Sequence, residues 1–137
     1  MNDASMLSHI SIGVTDFERA FSFYSSLFKL LDLELRFCER DKPWAGWQSK
    51  SGQRPLFLIA HPFDGQPHVA GNDQMTAFSA NSRQQVDEVY LLALSHGAKD
   101  EGAPGIRPHY HADYYGAYFR DLDGNKLCVV CHTPGTP

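Results

Sequence analysis

Apolar and polar residues alternate through Leu7–Gly13, which predicts a strand. Behind it, Thr15-Asp-Phe-Glu18 has capping-box spacing: the Thr15 hydroxyl can accept a backbone N–H while Glu18 reaches back. Apolar residues then fall at Phe17, Ala20, Phe21, Tyr24, Leu27, Phe28 and Leu31, the stripe of a helix with one buried side. Alternation returns over Leu33–Glu39, and Trp44–Ser49 and Leu56–Ala60 read as two more short strands around the turn-like Ser51–Pro55. The first half is therefore strand, helix and three strands.

The same order then recurs. Residues 62–71, with Pro and Gly at the ends and no period, mark the core of a linker that spans 62–73. Met75–Ala80 predicts a strand, and Ser82-Arg-Gln-Gln85 a second capping box. Val86, Val89, Tyr90 and Ala93 form the next helical stripe, with His96-Gly97 as its stop. Gly97–Glu101 reads as a short strand and Ala103–Ala112 as a loop rich in Pro and Gly. Tyr114–Arg120 and Lys126–Cys131 flank Asp121-Leu-Asp-Gly124, whose Asp-Gly pair suits a type I′ hairpin turn, and Thr133–Pro137 is a loose tail. Met75 stands 66 residues after His9 at the matching point of the repeat. The expected architecture is α+β: two tandem βαβββ modules, 7–61 and 74–132, in one domain of 137 residues. Neither half can bury its sheet alone, so their paired faces are expected to form a curled mixed sheet around a cleft.

Composition narrows the partners. The net charge of -4, with Lys and Arg scattered, gives no basic face, so neither nucleic acid nor an anionic membrane surface is expected. No apolar run reaches bilayer length, and the start of the chain, with acidic Asp3, lacks the order of a signal peptide. Cys38, Cys128 and Cys131 are an odd set without a metal-knuckle framework, which fits a reducing, cytoplasmic setting.

The candidate chemistry is thin. His9 is either a hydrogen-bonded histidine or a general acid–base, its ordinary pKa lying near neutrality. Cys128 and Cys131 lie three apart on one strand and point to opposite faces; Cys128 reads as a small buried hydrophobe or, beside positive charge, a thiolate. His109 and His111 share a side if their loop is extended and could then clamp a ligand or metal; a plain exposed loop is the alternative. Arg107 is either solvated or a partner for an anionic group. Among Trp44, Trp47, Tyr114, Tyr115 and Tyr118, alternation sends half toward the cleft and half toward the helices. His61, His68, His96 and His132 sit singly near turns and ends and receive no role.

His9-Ile-Ser-Ile-Gly-Val-Thr-Asp16, Phe21-Ser-Phe-Tyr24, the Gly102–His111 loop and Tyr114–Leu127 together resemble the vicinal oxygen chelate superfamily. That superfamily groups glyoxalase I, bleomycin-resistance proteins, fosfomycin-resistance enzymes and extradiol dioxygenases. The resemblance implies a cleft for a small molecule, a homodimer, and a divalent metal held by His, Gln or Glu on the first and last strands of each half. His9 matches the first ligand; Met75 replaces a second His, Cys128 replaces a Glu, and the remaining position falls near Leu56–Leu58. One of the usual four donors survives. Hard divalent ions need oxygen and imidazole donors, whereas His9, Met75 and a Cys128 thiolate would form a soft set suited to Cu(I) or Zn²⁺. By the same resemblance Trp47, Met75, Arg107, His109, His111, Tyr115 and Cys128 are expected to line the ligand site, with His9 as catalytic or metal-binding residue. Three functions remain open: a glyoxalase- or dioxygenase-like lyase, isomerase or oxidoreductase, a metal-free binding protein of bleomycin-resistance type, and a metal-free enzyme using His9 or the His109/His111 loop.

Overall fold

The structure is a computed structural model and describes residues 5–135. It comprises β1 (His9–Gly13), α1 (Phe17–Leu30), β2 (Leu33–Glu39), β3 (Trp44–Ser49), β4 (Leu56–Ala60), β5 (Met75–Ser79), α2 (Arg83–Ser95), β6 (Lys99–Ile106), β7 (Tyr115–Arg120) and β8 (Lys126–Cys131). The chain divides into two compact units, Met1–Val69 and Ala70–Pro137, with the boundary inside the 62–73 segment. Each unit is a βαβββ module with its own four-stranded mixed sheet, ordered β1-β4-β3-β2 and β5-β8-β7-β6. In both, the first strand pairs parallel to the last and the other pairings are antiparallel. Asp3 and the last two residues of the expected tail lie outside the described residues. Among those described, no helix is long and apolar enough to cross a membrane.

In the first unit α1 begins one residue later than the Thr15 box predicts. Asp16 is the N-cap, its carboxylate accepting the Arg19 N–H. A carboxylate there also meets the positive end of the helix dipole. The buried side of α1 carries Phe17, Ala20, Phe23, Tyr24, Leu27 and Phe28, so Phe23 takes the deep position expected of Phe21. The Tyr24 and Phe28 rings pack on Trp47 and Phe57, with centroids 5.0–6.4 Å apart. Burying each such side chain contributes on the order of 1.5–3 kcal/mol.

In the second unit Ser82 caps α2 as expected, accepting the Gln85 N–H at 3.1 Å. The return bond lands one residue earlier than in a capping box: Gln85 Oε1 accepts the Asn81 N–H. Val86, Val89, Tyr90 and Ala93 form the buried stripe, and Gly97 (φ +99°) ends the helix in the left-handed region. Two expectations need correction here. β6 runs on to Ile106, through residues expected to be loop. It is an edge strand with register shifts on both sides of Gly102, so Pro104 costs it no central ladder bond. The β7–β8 turn is not type I′, because only Gly124 (φ +87°) is left-handed; Asp123 is not. The Asp121 carboxylate shapes it instead, accepting the Asp123 and Asn125 N–H groups at 2.9 and 2.8 Å.

Strand parity then sets the faces. Trp47 and Phe57 meet α1, so Ile10 and Ile12 join that side while His9, Ser11, Leu56 and Leu58 point away from it. Phe119 meets Tyr90 of α2, so Tyr118, Cys128, Lys126, Ala77 and Met75 point away from α2. These helix-free sides are called the far faces.

Candidate functional site

On the far face of the second sheet three hydroxyl and thiol groups join. The Tyr114 hydroxyl lies 2.8 Å from that of Tyr118 and 3.5 Å from the Cys128 Sγ. Cys128 follows from β8 pairing directly with Tyr118 of β7. Tyr114 precedes β7, and its ring reaches back over Gly116: a Cβ there would stand 2.9 Å from Tyr114 Cε1. Only glycine lets an aromatic ring lie this close to the strand.

Burial, then the bonds to Tyr118 and Cys128, pushes the Tyr114 phenol well above its usual pKa. Burial raises Tyr118 too. It also raises the fully buried Cys128 thiol, against the lowering influence of the two tyrosines and of Arg107 and Lys126. All three groups are neutral and can donate or accept hydrogen bonds at physiological pH. The Cys128 thiol is the small buried group of the first sequence reading rather than an activated thiolate.

Two cations flank this group. The Arg107 guanidinium lies 5.4 Å and the Lys126 ammonium 5.6 Å from the Tyr118 ring centroid. Arg107, just past β6, folds back along that strand, donating to the Ala103 carbonyl at 2.8 Å. Gly102 and Gly105 make room for it, since a Cβ at either would press on the guanidinium at 3.1 Å.

The His109–His111 loop is a chain of turns, not extended. Tyr110 N–H donates to the Arg107 carbonyl and Tyr114 N–H to that of His111. The loop is therefore not in the extended form that a clamp by the two histidines requires, and both side chains are exposed. The His109 and Tyr110 rings meet at 4.2 Å, tilted by 43°, and the Tyr110 and Tyr114 rings at 4.7 Å, tilted by 47°. His111 instead meets His132, Nε2 to Nδ1 at 2.9 Å, while its Nδ1 accepts the Asp113 N–H. That acceptance fixes the tautomer: His111 carries its proton on Nε2 and donates it to His132.

Two expected lining residues lie elsewhere. Trp47 is 3% exposed beneath α1, among Phe21, Tyr24 and Phe28. Tyr115 faces α2, donating to Asp87 Oδ1 at 2.6 Å with the Arg83 guanidinium over its ring. That bond, with burial, pushes the Tyr115 phenol up to about 12. Strand parity decides both, since Trp44 and Tyr118 hold the opposite sides. Met75 is on the far face of β5. Tyr114 and Tyr118 are among the aromatic residues that alternation divides between cleft and helices, and both reach the far face; nothing in the sequence marks Lys126, and glycine inside a strand at Gly116 is the signal for the Tyr114 ring.

The first sheet's far face is plainer. His9 is exposed, its Nδ1 2.9 Å from Ser8 Oγ, and Leu56 and Leu58 run beside it on β4. These donors do not fit the divalent metal that the resemblance implies. His9 has leucines as its sheet neighbours; Met75 has Lys126, a cation, opposite it and Cys128 beyond. A thioether, a protonated thiol and hydrocarbon cannot stand in for imidazole and carboxylate. Among the described residues no group of three or more His, Cys, Asp or Glu side chains is placed to hold a metal ion.

Comparison with known proteins agrees with this architecture. Residues 6–129 match the sequence model of the Glyoxalase/Bleomycin resistance protein/Dioxygenase superfamily. A glyoxalase/bleomycin resistance protein from Albidiferax ferrireducens T118 is 32% identical, with TM-score 0.81 over 94% of this chain and 100% of that one. The genomically encoded fosfomycin resistance protein of Listeria monocytogenes (19% identity, TM-score 0.66, 96% of each chain) shares the fold. So does a lactoylglutathione lyase from Agrobacterium tumefaciens (19% identity, TM-score 0.65, 95% of this chain and 96% of that one). No curated protein matches the sequence. With the match spanning nearly the whole chain and two βαβββ modules in tandem, this protein belongs to the Glyoxalase/Bleomycin resistance protein/Dioxygenase superfamily.

Proposed function

We propose that the chain is a small-molecule-binding protein that works without a metal ion and takes its ligand on the far face of the second sheet. The observation supporting this is the neutral Tyr114–Tyr118–Cys128 group, flanked by Arg107 and Lys126, in a chain where three of the four usual metal donors are leucine, methionine and a protonated thiol. Aromatic walls supply flat contact area, and a few polar groups fix orientation, the usual composition of a small-molecule site. The partner is a small organic ligand rather than nucleic acid or membrane, and the protein acts as a cytoplasmic homodimer. A metabolite library screened by thermal shift on chelator-treated protein tests this reading, because a ligand raises stability by mass action. A stabilising compound is expected; a library without one counts against it.

A second reading is a metal-free enzyme of lyase or isomerase type. It is favoured by the exposed His9 imidazole, whose Nδ1 is oriented by Ser8. His9→Ala would then abolish conversion of a screened ligand while leaving its affinity nearly intact. Equal loss of both returns His9 to a binding role.

A further inference from the structure

We infer that the ligand is a flat aromatic carboxylate, its carboxylate held by Arg107 and Lys126 and its ring stacked among Tyr110, Tyr114 and Tyr118. This rests on the binding reading above and adds the chemical class.

The charges come first. The net charge is -4, and among the described residues four of the twelve Lys and Arg side chains hold a carboxylate. Arg40 pairs with Glu18, Lys42 with Glu39, Lys50 with Asp32 and Arg120 with Glu101. Arg107 and Lys126 form no ion pair among the described residues, yet they converge on one ring, Arg107 from just past β6 and Lys126 from β8, the two strands that flank β7. Glu101, which feels Lys126 at longer range, is already bound by Arg120. Both cations are half-buried, so their charge is screened less than that of a surface pair.

The fork comes next. One Arg107 nitrogen is committed to the Ala103 carbonyl, and the guanidinium lies close against Gly102 and Gly105, where a Cβ would stand 3.1 Å from its two terminal nitrogens. A planar guanidinium held in one orientation matches a carboxylate, which accepts two parallel N–H bonds from it. The remaining surface is aromatic. Tyr110 is 60% exposed, its ring 4.7 Å from that of Tyr114, and the Tyr114 and Tyr118 hydroxyls meet at 2.8 Å. A flat ring has faces to stack on there, with neutral phenols to bond its substituents.

The test uses benzoate, its neutral isostere benzamide, and acetate, titrated into the full-length ¹⁵N-labelled protein and followed by amide chemical shifts. Benzoate is expected to shift the amides of 102–107, 114–118 and 126–128 and to bind more tightly than either other probe. Arg107→Gln and Lys126→Gln should each weaken benzoate roughly 10- to 100-fold, the worth of a charge-assisted hydrogen bond, while Arg36→Gln in the first unit changes nothing. Benzamide binding as well as benzoate, or both variants retaining full affinity, overturns the carboxylate. Acetate matching benzoate overturns the ring. If benzoate fails but benzamide or a library compound shifts the same amides, the binding reading stands without this inference; if nothing shifts them, both fall.

Discussion

The Tyr114 ring lies on Gly116: a Cβ at that strand position would meet Tyr114 Cε1 at 2.9 Å. The contact turns a residue outside β7 back over the strand and brings its hydroxyl to Tyr118 and Cys128. Gly116→Ala should therefore push the ring off the sheet and break the hydroxyl pair. Overpacking of this kind costs about 1–3 kcal/mol. Urea denaturation gives the loss, and affinity for any ligand found by screening should fall with it. A variant with unchanged stability and binding would show that the ring has no need of this glycine.

Tyr115 offers a pH test. Its phenol is raised to about 12 by the bond to Asp87 and by burial. An unfolded tyrosine ionises near pH 10. The raised folded value means that its contribution is complete below about pH 10 and is lost as the pH climbs toward 12. Tyr115→Phe should lower stability at neutral pH and flatten the fall in stability on the alkaline side. An alkaline limb as steep as in the parent would contradict the assignment.

Trp47 and Met75 should separate a core residue from a far-face residue. Trp47→Ala removes a ring packed on Phe21, Tyr24 and Phe28 and should cost about 3–5 kcal/mol. Met75 is 46% exposed, and Met75→Ala should cost no more than about 0.5 kcal/mol. Comparable losses in thermal denaturation would refute the placement of Trp47.

The His111–His132 bond ties the loop before β7 to the residue after β8. His132→Ala should speed hydrogen exchange of the 107–114 amides, with a global cost of about 0.5–1.5 kcal/mol. Exchange rates unchanged in that loop would mean that the bond does not hold it.

Much of the fold was legible because its signals are periodic. The α2 stripe and the limits of β8 follow from spacing alone, since a buried helix side and a fully buried strand leave little freedom. β6 was hidden because it is an edge strand: Gly102, Pro104 and Gly105 suit bulges and a lone rim as well as they suit a loop. Faces were the harder matter. Trp44 and Trp47 lie three apart and must point opposite ways, but the sequence does not say which one meets α1. Tyr115 and Tyr118 pose the same choice. No spacing links His111 to His132, or Tyr114 to Cys128; those pairings exist only once the strands are laid side by side. The vacant metal positions were readable, because chemical type at four positions is visible without coordinates.

The central claim is binding on the second module's far face without a metal ion. The most direct measurement is the affinity of one preparation for its ligand before and after chelator treatment, with metal content read by elemental analysis. The account predicts substoichiometric metal and an affinity the chelator does not change. Affinity that vanishes on chelation and returns with stoichiometric Mn²⁺, Ni²⁺, Zn²⁺ or Fe²⁺ would contradict it.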